Sequence, residues 1–238
     1  MKNLLTTNNY NSLETVNFTR VVYDKTDDLV YIQTSIPSLY EFVDLGLSIN
    51  WATCNIGATK PEEYGLYFAW GETEGYSGVT DTKKFKWTDY KLCNGSDTTL
   101  TKYNNNASYG TVDNQITLEQ VDDAAYVSDN TCRMPTSGEY QELIDNTTSA
   151  WTSVNGVNGI QLTSKVEGYT DKSIFIPAAG HVSNGSLIGV GSYGYIWSSS
   201  LTSGTPRNAR IMFFYSSSVY ISGSDRCNGL SVRPVKEK

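Results

Sequence analysis

The amino-acid sequence predicts a mixed α+β fold built mainly from short strands and loops, with two helices. Three observations carry this expectation. Gly (20) and Tyr (17) are abundant while charged residues make up only 18% of 238 residues, a balance that favours strands and turns over a helical bundle. Strand-length runs with alternating apolar positions recur along the chain, most regularly in Y-I-W-S-S-S and I-M-F-F-Y-S-S-S-V-Y-I-S-G-S-D near the C-terminal end. Two stretches, T-L-E-Q and P-T-S-G-E, carry helix-start signals ahead of apolar residues at helical spacing.

Residues 1–38 read as a segment apart. Asn, Thr and Ser dominate at first, then Val16–Tyr23 and Leu29–Thr34 form two strand-like runs across a turn at Asp24–Asp28. A lone hairpin is marginally stable. The segment is therefore expected to dock on the main domain, to attach to a partner such as a tail protein, or to make a homo-oligomer. From residue 39 to 238 the chain reads as one domain. Phe42–Leu45 and Ile49–Cys54 are expected strands around a turn at Gly46–Ser48, and Tyr67–Trp70 another. Glu62, Glu63, Glu72 and Glu74 read as solvated loop carboxylates rather than an acid/base site. Residues 75–115 are turn-rich, with Trp87 and Tyr90 expected to pin them to the core. Asp97, Asp113 and nearby asparagines are oxygen ligands of the kind calcium takes, but no D-x-D-x-D-G order accompanies them. No metal or cofactor is expected. A helix over Thr117–Ser128 is expected from a Thr117–Gln120 capping box with Val121, Ala124 and Ala125 on one face. A second should start at the Thr136 N-cap with Glu139 closing the box and Tyr140, Leu143 and Ile144 inward. Strands at Trp151–Val154, Gly159–Ser164 and Ser173–Pro177 follow.

The stretch from about 195 to 235 organises the rest. Successive side chains of a strand point to opposite faces. Trp197, Ala209, Met212, Phe214, Val219, Ile221, Leu230 and Val232 are patterned for burial, and the alternate set Ile211, Phe213, Tyr215, Ser218, Tyr220 and Ser222 is placed outward. An outward row of large aromatic groups marks a binding surface. The other reading of the same residues is a strand buried on both faces.

Composition excludes some classes. A formal charge of −7 argues against a nucleic-acid partner. No run approaches the ~20 apolar residues of a membrane span. Cys54, Cys93, Cys132 and Cys227 are too scattered for a disulfide scaffold, with one or two bridges left open. The solitary His181 sits in a loop, and no Ser/His/Asp constellation can be assembled around it, so an enzyme is not expected. The opening residues M-K-N-L-L-T-T-N-N-Y-N lack the apolar region of a signal peptide, which favours assembly in the cytoplasm over export, a trimmed export signal being the alternative.

Six motifs in order carry a resemblance. These are V-D-L-G-L…W-A-T-C-N-I-G-A, E-E-Y-G-L-Y-F-A-W-G-E-T, C-R-M-P-T-S-G-E-Y-Q-E-L-I, S-I-F-I-P-A-A-G, G-Y-I-W-S-S-S and G-L-S-V-R-P-V. Together, over residues 40–235, they resemble the Fibrobacter succinogenes major paralogous domain, a Bacteroidetes-rich family related in fold to the formylglycine-generating enzymes. The resemblance implies a C-type lectin-like fold, with two helices flanking small twisted antiparallel sheets and termini close together. The C-terminal stretch looks like the variable region of a diversity-generating retroelement protein, in which template adenines are randomised and Asn codons diversify. The resemblance then implies variable, ligand-binding positions at Ile211, Phe213, Tyr215, Ser218, Tyr220, Ser222, Gly223, Ser224, Asp225, Cys227 and Asn228, every one of a residue type such codons can encode. Trp197, Met212, Phe214, Gly229 and Val232 would be the fixed scaffold. The implied function is an adhesin binding a bacterial surface protein or glycan, carried on a phage tail in the virion. The alternatives are a bacterial cell-surface or secreted adhesin of the same fold, or, less favoured, a formylglycine-generating-type enzyme, whose paired thiols would leave Cys227 as the one cysteine near the C-terminal sheet. The E-P-N, Q-P-D and W-N-D signatures of calcium-dependent sugar binding do not occur.

Overall fold

The computed structural model of the chain describes residues 2–4, 20–24, 29–33 and 38–238, the strands before residue 38 by their backbone alone. Two compact units result, Met1–Leu39 and Tyr40–Lys238. In the first, β1 (Lys2–Leu4), β2 (Arg20–Asp24) and β3 (Leu29–Gln33) form an antiparallel sheet in the order β1-β3-β2. The expected hairpin is thus a three-stranded sheet. Its turn residues 25–28, the start of the first run at 16–19 and Thr34 lie outside the described residues.

The second unit is a mixed α+β structure with two helices and small antiparallel sheets. Strands β4 (Phe42–Val43) and β5 (Ile49–Ala52) pair with the C-terminal strand β14 (Val235–Glu237), so both ends of the unit meet in one sheet. The first two strands stop earlier than expected. Gly46, at φ 76°, gives its N–H to the Asp44 carboxylate, and this turn swings Leu45 into the core. Tyr67–Trp70 is not a strand either; Tyr67 and Phe68 make single bridges to Tyr76 and Leu230.

The expected helix over Thr117–Ser128 is mostly something else. Thr117 bridges Ser200, and Leu118 donates its N–H to the Ser199 carbonyl, so the proposed capping box is spent on a sheet edge. Helix α1 covers only Ala124–Ser128, capped by Asp123, whose carboxylate accepts from the N–H groups of Ala125, Tyr126 and Met134. Helix α2 (Ser137–Asp145) starts at the Thr136 cap with Glu139 closing the box, as the sequence predicts, and buries Tyr140 and Leu143. It runs straight into β6 (Thr147–Val154), which turns through Asn155 and Gly156, both at positive φ, into β7 (Val157–Ser164) and then β8 (Ser173–Pro177). A two-residue Asn-Gly turn suits a tight hairpin, so both strands are longer than the runs read from the sequence.

A small hairpin follows, β9 (His181–Ser183) and β10 (Ser186–Ile188), then the C-terminal sheet of β11 (Tyr193–Leu201), β12 (Asn208–Tyr215) and β13 (Ser218–Asp225) in that order. One face of this sheet sends Ile196, Met212 and Phe214, with half-buried Val219 and Ile221, into a core shared with α2, β5, β7 and β8. Burying side chains of this size contributes about 2–3 kcal/mol each. Gly194 pairs with Phe214 and has no Cβ, which would sit 2.0 Å from the phenyl ring. Among the described residues no helix is long and apolar enough to cross a membrane.

Candidate functional site: an aromatic face on the C-terminal sheet

The opposite face of the same sheet is split along its length. In register, Trp197 neighbours Ile211 and Ser222, Tyr195 neighbours Phe213 and Tyr220, and Tyr193 neighbours Tyr215 and Ser218. At the Trp197 level the face is covered. Trp197, Leu201, Ala209 and Ile211 join Ile56, Phe68, Trp70, Tyr103, Leu230 and Val232 in a second core. From the next row on the cover gives out and the rings meet solvent. Tyr193 and Tyr220 are 41% and 43% exposed, while Tyr195, Phe213 and Tyr215 are half-buried.

Phe213 is the hub of this aromatic cluster. Its ring centroid lies 4.7 Å from Tyr195, 5.4 Å from Tyr220, 5.8 Å from Tyr215 and 5.9 Å from Tyr193, the last nearly parallel at 19°. His181, from β9, stacks on Tyr195 at 4.4 Å. Desolvation holds the His181 imidazole below its ordinary pKa, and its buried Nδ1 has no hydrogen-bond partner among the described residues. Burial, then the nearby Tyr193 and Tyr220 phenols, pushes the Tyr195 phenol up. The result is a neutral, ring-lined surface with hydroxyls at its margin, backed across the sheet by the first core and abutting the second through Tyr195 and Phe213.

The eleven expected surface positions do not form one patch. Phe213, Tyr215, Ser218, Tyr220, Ser222 and Ser224 share the aromatic face. Gly223 and Asp225 lie on the reverse side, where Asp225 takes two hydrogen bonds from Arg207, which also pairs with Asp97. Ile211 is a correction: it is 2% exposed because the loops carrying Trp70 and Tyr103 fold over that end of the face. Cys227 is a second, 3% exposed among Tyr67, Phe85 and Tyr90. Burial, then Asp225, pushes its thiol up. Asn228 is half-buried and donates to the Ser224 hydroxyl. Trp197, Met212, Phe214, Gly229 and Val232 are all buried. Tyr193, Tyr195 and His181 were missed, although Y-G-Y-I-W carries the same two-residue alternation that singled out Phe213 and Tyr215.

Two arginines just past β13 were also missed. Arg226, fully buried, donates to the Tyr90 hydroxyl and to the carbonyls of Lys102, Tyr103 and Pro206, and its guanidinium lies against Trp70 at 4.9 Å. Arg233 donates to Asn55 Oδ1 and to the carbonyls of Ala52 and Phe175, with burial pushing it down to about 10. Tyr90 does pin the long loop, through the Trp70 carbonyl. Glu72 is a further correction: it is buried and bonded to Lys83 Nζ at 2.7 Å. All four cysteines are free thiols, so neither of the bridges left open forms. Asp113 is occupied by the N–H groups of Tyr103, Asn104 and Gln115. Among the described residues no three His, Cys, Asp or Glu side chains are grouped to hold a metal ion. Comparison with family models, curated proteins and solved structures returns no match.

Proposed function

We propose that the chain is an adhesin whose ligand-contacting surface is the aromatic face of β11–β13. The observation that carries this reading is the Phe213-centred cluster, which continues a strand face from core to solvent without a break. Tyr and Phe offer large contact area for few frozen torsions, and the flanking Ser218, Ser222 and Ser224 offer adaptable polar contacts. Such residues on one face vary without touching Met212 and Phe214 on the other. That separation of duties suits a surface diversified by a retroelement. A C-type lectin-like framework accords with two helices, small antiparallel sheets and unit ends that meet in one sheet. The target on this reading is a bacterial surface protein or glycan, and the carrier a phage tail.

The test replaces Tyr193, Tyr215 and Tyr220 together by Ser in the full chain. Binding to receptor-bearing cells, followed by flow cytometry, falls about tenfold or more, while the melting temperature stays within a few degrees. Unchanged binding rejects the face as the contact surface. Diversification is read from flanking DNA. A near-identical repeat with Asn codons at Phe213, Tyr215 and Tyr220 is expected, and an unrelated flank removes that part of the proposal.

A further inference from the structure

Strand β13 ends its sheet, and among the described residues its outer edge is bare. A two-residue turn at Ser216–Ser217 makes Tyr215 and Ser218 a directly bonded pair, so Ser218, Tyr220, Ser222 and Ser224 turn their backbone groups toward β12. The N–H and C=O groups of Val219, Ile221 and Gly223 therefore point away from the sheet, and none of them has a hydrogen-bond partner among the described residues. Long bare edges are the places where a second chain adds, and natural proteins guard them with Lys, Pro, bulges or short strands. This eight-residue strand has no Pro or Lys and pairs with β12 in unbroken register. Its one charge, Asp225, is already held by Arg207.

We propose that β13 pairs antiparallel with β13 of a second copy of this chain, about a two-fold axis at Ile221, joining two three-stranded sheets into one of six. Only registers that place odd-numbered residues opposite odd-numbered ones let the outward groups meet, and centring on Ile221 uses the whole strand. Val219 then faces Gly223 of the second copy and Tyr220 faces its Ser222, while Ser218 faces its Ser224. Val219 and Tyr220 each meet a small residue, Ile221 meets its own copy on the axis, and Asp225 meets the uncharged Ser217 rather than another charge. About six backbone hydrogen bonds close the seam. A two-fold axis perpendicular to the sheet keeps both aromatic faces on the same side, so Tyr220 of each copy sits beside Ser222 of the other and the two ring clusters become one platform. The pairing holds whatever that platform binds.

The experiment uses the full chain. Sedimentation velocity from about 1 to 100 μM is expected to show a concentration-dependent species of twice the monomer mass. Gly223→Pro removes an outward N–H without touching a bond to β12 and is expected to leave a monomer with an unchanged circular dichroism spectrum. Ser218→Cys combined with Ser224→Cys is expected to give a disulfide-linked dimer on mild oxidation, with Ser218→Cys alone giving none, since only the Ile221-centred register brings 218 opposite 224. A wild-type chain that stays monomeric throughout overturns the proposal. So does a dimer that survives Gly223→Pro and fails to cross-link, because it would be built through other residues.

Discussion

Ile211 and Tyr220 sit on the same face of neighbouring strands, yet one is core and the other surface. The difference is what lies over them: Trp70, Tyr103 and Leu230 cover Ile211, whereas Tyr220 is 43% exposed. Ile211→Ala should therefore cost about 2–5 kcal/mol in urea unfolding, while Tyr220→Ala changes stability by less than about 1 kcal/mol. Equal effects at the two positions would remove the division of the face into covered and open halves. The sequence alternation found the face and misjudged its extent. Period two says which way a side chain points, whereas much of the coverage comes from Phe68, Trp70 and Tyr103, far away along the chain, and no local pattern records where such a loop lands. Cys227 was misplaced for the same reason, enclosed by Tyr67, Phe85 and Tyr90; Glu72 is enclosed within its own turn-rich loop, by Lys83 and the Lys91 N–H.

Among the elements, helix α2 was legible from sequence because its determinants lie within ten residues: cap, box and apolar stripe. The Thr117 box had the same letters and failed, since residues 116–118 found a better use for their backbone groups on Ser199 and Leu201. Local signals decide an element only where no sheet edge competes for the same donors. The α2 box has a further partner, Arg133, which binds both Glu139 oxygens. Burial works to raise the Glu139 pKa, but the Arg133 and Thr136 bonds more than offset it, and the carboxyl lies below its usual 4.5. A depressed folded pKa contributes stability that is complete above the unfolded value and is lost as pH falls through the folded one. Stability should therefore decline below about pH 4.5 with a slope to which Glu139 contributes. Glu139→Gln should flatten that part of the pH–stability curve measured by chemical denaturation. An identical acid limb in the variant would show that the Arg133 pair does not discriminate between folded and unfolded chains.

The whole molecule divides at residue 39, and the three hydrophobic clusters of the described residues belong to Tyr40–Lys238. A fragment of residues 40–238 is expected to unfold in one cooperative thermal transition within about 5 °C of the full chain. A fragment that populates a molten state, with far-ultraviolet but no near-ultraviolet circular dichroism, would show that the first unit is needed for packing. The boundary was visible in the composition change near residue 39; the third strand of the first unit, Lys2–Leu4, was not, because three residues are too few to show alternation. The two guanidinium groups that brace the C-terminal segment have one more consequence. Their hydrogen bonds run to main-chain oxygens, a phenol and an amide, none of which is a carboxylate. Brine and vinegar, which dissolve ion pairs at a protein's rim, find no carboxylate to neutralise in these two clasps, so the aromatic surface stays mounted in surroundings as changeable as the ligands it would meet.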